Sequence, residues 1–477
     1  MEPVVVIGAG PSGLAAAYEL ATHSTPVVLL EQLPQVGGLS RTLQKDGARF
    51  DVGPHRFFTK NTEVFDLWKN LLQEDLLSVP RLTRIFYNKK FFYYPLAPMN
   101  ALFGVGPLEA GQIFLSYFSN RVKERFSPTQ PVSFEDWVVS QFGRRLFEIF
   151  FKTYTEKVWG IPCTQIGADW AGQRIKGLSL WTAFVNSVFK PQGNKIKSLV
   201  DEFVFPRLGA GMFYETMARH IEQHGGKILL GRTVTGFRHE GDRIRSVVAR
   251  NGDGSTEEIE GSAFLTSAPL TENVMGFLPQ APPEVMTAAQ GLRYRSHVGV
   301  DLIVEGNPFP DNWIYVHSRE VNLARVANYR NFSAAMAPDE RRTPITVEYF
   351  CFPGDAIMSR SDEELVELAK TEMHRMKVMK PDQVLSGFVL RNEKAYPVIE
   401  LGYETHMNVL RRYIGQFRNF QPIGRCGMFR YNNQDHAIVT GLLAARNLLG
   451  SKYDVWSVNI EAEYHESGEV PPLNQSH

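Results

Sequence analysis

Val4-Val5-Val6-Ile7 is a short β-branched run that ends at Gly8-Ala9-Gly10-Pro11-Ser12-Gly13 and passes straight into Leu14-Ala15-Ala16-Ala17-Tyr18-Glu19-Leu20. The run reads as a strand buried on both faces, and the small apolar residues after Gly13 read as a helix. Gly8 permits a tight turn, Gly10 removes the side chain that would hold a pyrophosphate away from the backbone, and Gly13 lets the helix lie close to the strand. The first helical N–H groups, around Ser12, are then left to meet phosphate oxygens. A second strand, Val27-Val28-Leu29-Leu30, ends in Glu31, 18 residues past Gly13, where a carboxylate meets a ribose hydroxyl. A glycine-rich turn alone is often purely structural. Strand, turn, helix and acidic residue in this order make a dinucleotide site.

Composition narrows the rest. A chain of 477 residues has room for two or three modules, and 51 Lys+Arg against 51 Asp+Glu gives no basic face for a nucleic acid. Cys163, Cys351 and Cys426 are too few and too far apart for a disulfide framework or a paired-cysteine zinc site, so no metal is expected and a reducing cytoplasm fits. The apolar start carries Glu2, Pro3 and interrupting glycines, unlike a signal peptide. No run of about 18 apolar residues suggests a transmembrane segment. The aromatic-rich stretch from Phe86 to Phe118 is the part suited to touching a membrane surface.

Gln32-Leu33-Pro34-Gln35-Val36-Gly37-Gly38-Leu39-Ser40-Arg41 resembles the extended FAD fingerprint of glutathione-reductase-like flavoproteins. The resemblance implies that Gly38, Leu39 and Arg41 approach the cofactor, that Val234 in Thr233-Val234-Thr235 meets the adenine through its backbone, and that Leu265-Thr266-Ser267-Ala268-Pro269 returns to the nucleotide domain. The fold class is therefore α/β: a Rossmann-like FAD domain, made discontinuously of 1–60, 197–290 and 387–460, with a mostly helical insert at 61–196. An antiparallel-sheet substrate domain at 291–386 and a tail at 461–477 complete the chain. Phe65-Leu67-Trp68-Leu71-Leu72 and Phe134-Trp137-Val138-Phe142 have helical spacing, while His297–Val304, Trp313–Val316 and Ile345–Phe350 read as strands.

Three further segments are Lys152-Thr153-Tyr154-Thr155-Glu156-Lys157-Val158-Trp159, then Trp313-Ile314-Tyr315 with Arg325 twelve residues after the Trp, and Gly424-Arg425 followed by Tyr431-Asn432-Asn433-Gln434-Asp435-His436. Together they resemble the UDP-galactopyranose mutases, within the amine oxidase and protoporphyrinogen oxidase superfamily. The resemblance implies an isomerase that interconverts pyranose and furanose forms of a nucleotide-diphosphate sugar by attack of reduced flavin N5 on the anomeric carbon. Cell-surface polysaccharide biosynthesis would use its product, and NAD(P)H would serve only to reduce the flavin. It also implies that Tyr315 and Tyr431 donate to the diphosphate and that Arg325 grips it bidentately. Lys152, Trp159, Trp313 and Asn433 would line the substrate, Gly424 and Gln434 would contact the cofactor, Arg425 would neutralise the FAD pyrophosphate, and His55, at the flavin N5 edge, would be catalytic together with Arg325.

The sequence departs from that pattern in places. Lys152 replaces an arginine and loses its fork, Tyr94-Pro95-Leu96-Ala97 lacks the aromatic and amide that contact uracil, and Pro54 stiffens the loop before His55. Tyr431 also lies closer to Asn433 than in the eukaryotic enzymes. The alternatives are a flavin oxidase or desaturase that takes a hydride from its substrate and, resting on these departures, a flavin-binding scaffold whose chemistry has lapsed.

Overall fold

The structure is a computed structural model that describes residues 2–94, 100, 104–126, 130–168 and 202–459. Leu96, Ala97, the tail 461–477 and the C-terminal part of the helical insert lie outside the described residues. β1 (Val4–Ile7) stands inside a parallel sheet of five strands, flanked by Ala263–Thr266 and β2 (Val27–Glu31), with Phe420–Pro422 and Lys227–Leu230 at the edges. Parallel strands need cover on both faces, which is why β1 is apolar at every position and buried throughout. α1 (Pro11–Thr22) covers one face with Leu14, Ala15, Ala16, Ala17 and Leu20. Its small residues admit a second helix, Gln434–Leu448, so closely that a Cβ on Gly441 would lie 2.1 Å from the Ser12 carbonyl oxygen.

A second sheet of seven strands has the order Val384–Pro397, Tyr294–Glu305, Arg342–Cys351, Arg325–Asn328, Trp313–Val316, Thr83–Tyr87, Lys90–Tyr93. Its neighbours are antiparallel except for Trp313–Val316 against Thr83–Tyr87. The sheet therefore runs beyond the expected 291–386 at both edges. Val384–Pro397, placed in the FAD domain by sequence from residue 387 on, pairs along its length with Tyr294–Glu305, with two register shifts. Thr83–Tyr87 and Lys90–Tyr93, placed in the helical insert, form the other edge, because the dense aromatics there hide an alternating strand. A further pair, Leu76–Pro80 with Glu202–Pro206, also breaks up that insert.

Strand periodicity divides the seven-stranded sheet into two unlike faces. Val298, Val300, Leu302, Val304, Ile314, Val326, Ile345 and Val347 point into an apolar core capped by the helix Asp362–Arg375. The intervening positions carry His297, Trp313, Tyr315, Arg325 and Glu348 to the opposite face. That face meets the nucleotide domain. No helix among the described residues is long and apolar enough to cross a membrane.

Candidate active site

The glycine turn has the shape of a phosphate cradle. Gly8 has φ +90° and a Cβ there would meet Ser267 Oγ at 2.3 Å, while a Cβ on Gly13 would lie 1.9 Å from the Gly8 carbonyl oxygen. Gly10 and Gly38 face each other, and a Cβ on Gly38 would stand 2.9 Å from the Gly10 Cα. α1 starts on Gly10 with no side-chain cap and no acid in its first turn. Its N–H groups are oriented for an anion. Glu31, at the end of β2, accepts from the Ala9 N–H at 2.6 Å and the Leu33 N–H at 2.9 Å, which fixes its carboxylate at the rim of the turn. Gly37, Gly38, Leu39 and Ser40 form the facing wall, with the Gly37 N–H bonded to the Ala9 carbonyl. Gly424 closes the far side: it has φ +75°, and a Cβ there would strike Ser12 Oγ at 2.2 Å. Val234 lies on the strand Arg232–Glu240, at a bulge between Val234 and Gly236, and is partly buried against the core cluster that holds Ile7 and Leu30. Backbone, not side chains, shapes this cradle, and it fits a dinucleotide pyrophosphate.

Next to it lies a cavity of about 380 Å³. His55, Trp159, Trp313, Tyr315, Arg325, Arg425, Tyr431, Asn433 and Gln434 all line it, although they are scattered over nearly 400 residues of sequence. Lys152 is not among the lining residues. The helix Thr153–Trp159 instead presents Tyr154, Thr155 and Val158, which continue from Phe151 at the i, i+3, i+4, i+7 spacing of one helical face.

Arg325 is held differently from the expectation. Its Nε and Nη2 fork onto Glu348 Oε1 and Oε2 at 2.7 and 2.5 Å, so the edge expected to grip a diphosphate is already occupied. Glu348 is fully buried and also receives His297 Nε2 at 3.0 Å. Burial by itself would raise its carboxyl, but Arg325 and His297 outweigh that and bring it down to about 2. A chain of buried polar contacts continues to the cradle: His297 Nδ1 to Asn392 Nδ2 at 3.3 Å, Asn392 Oδ1 to Arg41 Nη2 at 2.9 Å, and Arg41 Nη1 to the Gly38 carbonyl at 2.7 Å. Gly53, at φ +91°, lets the His55 loop approach this pair, since a Cβ there would lie 3.3 Å from Arg325 Nη2.

Arg425 takes a place in the cavity. Its Cζ sits 5.0 Å from the ring centroids of both Tyr396 and Tyr431, and its Nε donates to the Asn432 carbonyl at 2.8 Å. Tyr396 and Tyr431 stack at 5.7 Å, and Tyr154 meets Tyr315 edge-on at 5.3 Å. Burial raises the Tyr154 and Tyr396 phenols, so both stay protonated as donors. Burial pushes His55 down to about 3, reinforced by Arg425 and Arg325, and its Nδ1 has no hydrogen-bond partner among the described residues. His317, stacked on Tyr154 at 4.8 Å, is likewise brought to about 3 by burial and by Lys157. Lys157 itself donates to the carbonyls of Ser318 and Leu323 at 2.6 and 3.1 Å, and so ties its helix to the sheet rather than serving the cavity.

Sequence reasoning missed Glu348, His297, Tyr154 and Tyr396. Glu348 had a signal, as the one charge inside the apolar run Ile345-Thr346-Val347-Glu348-Tyr349-Phe350. Tyr154 lay inside the quoted Tyr-x-x-Lys-Val-Trp segment. Tyr396 had none, because the strand that carries it was not recognised.

The fold is shared with a solved structure titled reduced UDP-galactopyranose mutase, at a TM-score of 0.82 and 20% identity over 96% of this chain and 98% of that one. A protoporphyrinogen oxidase structure from Exiguobacterium, titled as putative, superposes at 0.69 with 17% identity over 94% and 98%. By sequence, the chain is 29% identical over 175 residues to a probable UDP-galactopyranose mutase of Klebsiella pneumoniae, and 29% identical over 179 residues to a dTDP-fucopyranose mutase of Escherichia coli. Each match covers 35% of this chain, and the chain spans 43% and 45% of those relatives' lengths. A phytoene desaturase of Pantoea ananas is 26% identical over 53% of each chain. The family model described as flavin containing amine oxidoreductase matches residues 11–387, well over half the chain, and the chain belongs to that family.

Proposed function

We propose that this flavin enzyme interconverts pyranose and furanose forms of a nucleotide-diphosphate sugar, with FAD in the cradle and NAD(P)H as its external reductant. The observation that carries this is the convergence of Tyr154, Tyr315, Tyr396 and Tyr431 with Arg325 and Arg425 on one cavity beside the cradle. Bound FAD, when reduced, supplies the N5 nucleophile for the anomeric carbon. The backbone around Gly10, Ser12, Gly13 and Gly38 holds its pyrophosphate, Glu31 its ribose and Val234 its adenine. Arg425 and the tyrosine hydroxyls bind the departing diphosphate and keep it from escaping, so that it returns to the same sugar. Arg325, neutralised by Glu348, positions the sugar end through its remaining Nη1. His55 stays neutral at the flavin edge and excludes water.

A second reading has its own observation: Glu348 pairs with Arg325 and offsets its charge, which leaves Arg425, among aromatic walls, as the unneutralised cation of the two. That favours a hydride-donating substrate, as in the desaturases. Anaerobic incubation of dithionite-reduced and oxidised protein with UDP- and dTDP-hexopyranoses, followed by chromatography, separates the two. Ring interconversion by the reduced protein alone is expected. Rapid flavin reduction by an amine or a polyene, with peroxide released in air, would overturn the mutase reading.

A further inference from the structure

The helix Pro107–Phe126 packs along one face and carries a row of exposed large apolar side chains along the other. Ile113 enters the core cluster that holds Phe134 and Phe150. Glu109 pairs with Arg145, Ser116 Oγ accepts from the Arg145 backbone N–H at 3.1 Å, and Asn120 Nδ2 donates to the Val139 carbonyl at 2.9 Å. These positions recur at helical spacing and define the inward stripe. Leu108, Leu115, Val122 and Phe126, at i, i+7, i+14 and i+18, form a line on the opposite side, with Phe118 beside them. Leu108, Leu115, Phe118 and Phe126 are 86%, 74%, 70% and 82% exposed. Single exposed apolar side chains are ordinary, but a continuous stripe of large ones marks a contact surface.

Charge selects what the surface contacts. The exposed charged residues of this helix are Arg121, Lys123 and Arg125, whereas its two acids, Glu109 and Glu124, are half-buried on the inward side. An apolar stripe with basic flanks complements a layer of anionic lipid headgroups over acyl chains: the cations meet the headgroups while Leu and Phe side chains reach the hydrocarbon boundary. The helix is about 30 Å long, but it is neither apolar all round nor able to span a bilayer. It would therefore lie in the plane of the surface.

We propose that Pro107–Phe126 is an interfacial helix that docks the protein on an anionic lipid surface. Its inward residue Ile113 shares a core with Phe134 and Phe150, which line the cavity, so docking brings the aromatic end of the cavity up to the lipid.

The test sediments the full flavin-loaded chain with vesicles of phosphatidylcholine alone and of phosphatidylcholine mixed with phosphatidylglycerol. Binding to the mixed vesicles is expected to be at least about tenfold tighter, and to weaken with added salt. Replacing Arg121, Lys123 and Arg125 together by Gln should reduce it about a hundredfold. The double variant Leu115→Asp, Phe118→Asp should lose binding to both vesicle types while its melting midpoint and flavin spectrum stay unchanged, because both side chains are exposed. Absence of binding, equal binding to the two vesicle types, or variants that bind as well as the parent would overturn the proposal. So would light scattering that shows a dimer in the parent and a monomer in the double variant, which would assign the stripe to a second copy of the chain.

Discussion

The cradle at Gly8–Gly13 and the cavity around Arg325 adjoin, but they are made of different material. In the cradle the working groups are backbone N–H groups, and side chains contribute mainly by being absent: a single Cβ at Gly8, Gly13 or Gly38 would collide with backbone or with Ser267. In the cavity the working groups are side chains from separate strands and helices, and the charged pair at its centre is held by buried partners: Glu348 orients Arg325 and His297 orients Glu348. A backbone site is all-or-none toward substitution. A side-chain site should lose function in steps, one residue at a time.

The largest expected effect tests the first half of that contrast. Gly13→Ala places a methyl 1.9 Å from the Gly8 carbonyl oxygen, where no rotamer offers relief. Strand and helix must separate, at a cost of about 3 kcal/mol, the upper end of the usual overpacking range. The purified variant should lack flavin, read as the ratio of absorbance near 450 nm to that of protein. Full flavin content would show that the cradle yields more than its geometry indicates.

Glu348→Gln comes next. It keeps the shape but leaves the Arg325 guanidinium, only 17% exposed, without its counter-charge. The cost is about 3–5 kcal/mol in unfolding free energy, read by denaturant titration. The pH dependence has a definite sign. The carboxyl sits at about 2 in the folded protein against an ordinary 4.5, so its stabilisation is present above pH 4.5 and is lost as the pH falls toward 2. The variant should lack that part of the acid loss.

Arg425→Ala distinguishes the two sites directly. If the guanidinium serves the cavity, as its seat between Tyr396 and Tyr431 indicates, kcat/KM falls about a hundredfold while flavin content stays full. If it neutralises the FAD pyrophosphate, as its neighbour Gly424 suggested from sequence, flavin is lost as well.

The same contrast explains what was legible in the sequence. The cradle is local: glycine spacing, a β-branched run and Glu31 fall within 31 residues and each has a steric reason. The parallel sheet followed from it. The cavity is non-local. Trp313, Tyr315 and Arg325 were readable because they share one hairpin, Trp313–Val316 with Arg325–Asn328, whose alternation puts all three on one face. Glu348 reaches Arg325 only through the pairing of Arg342–Cys351 with Arg325–Asn328. Strand pairing at that range is not encoded in any short window. Lys152 lies outside the cavity lining for a local reason: the π-helical turn Glu148–Lys152 precedes its helix, so ordinary α periodicity does not fix which way residue 152 points.

A smaller step is expected at Tyr396. Its ring stacks on Tyr431 and carries Arg425, and Tyr396→Phe keeps both contacts while deleting one hydroxyl. The loss is that of one hydrogen bond to the ligand, about 1 kcal/mol or roughly fivefold in kcat/KM, with the flavin spectrum unchanged.

The smallest expected effect is the absence of one. A histidine beside a flavin invites an acid–base role near neutral pH, where its ordinary value of 6.5 would make it titrate. In this cavity burial and the neighbouring Arg425 and Arg325 bring His55 to about 3. The folded state therefore binds the proton less readily than the unfolded chain; the stabilisation is present above pH 6.5 and is lost as the pH falls through 3. His55 should thus contribute no inflection to the pH dependence of kcat/KM between pH 5 and 8, and the profiles of the parent and of His55→Asn should be parallel over that range, displaced only in height. An inflection near 6.5 that vanishes in the variant would mean that the ring takes up a proton during the reaction. The cavity would then supply an acid or base, which the proposed anion-binding role of Arg425 and the tyrosines does not require.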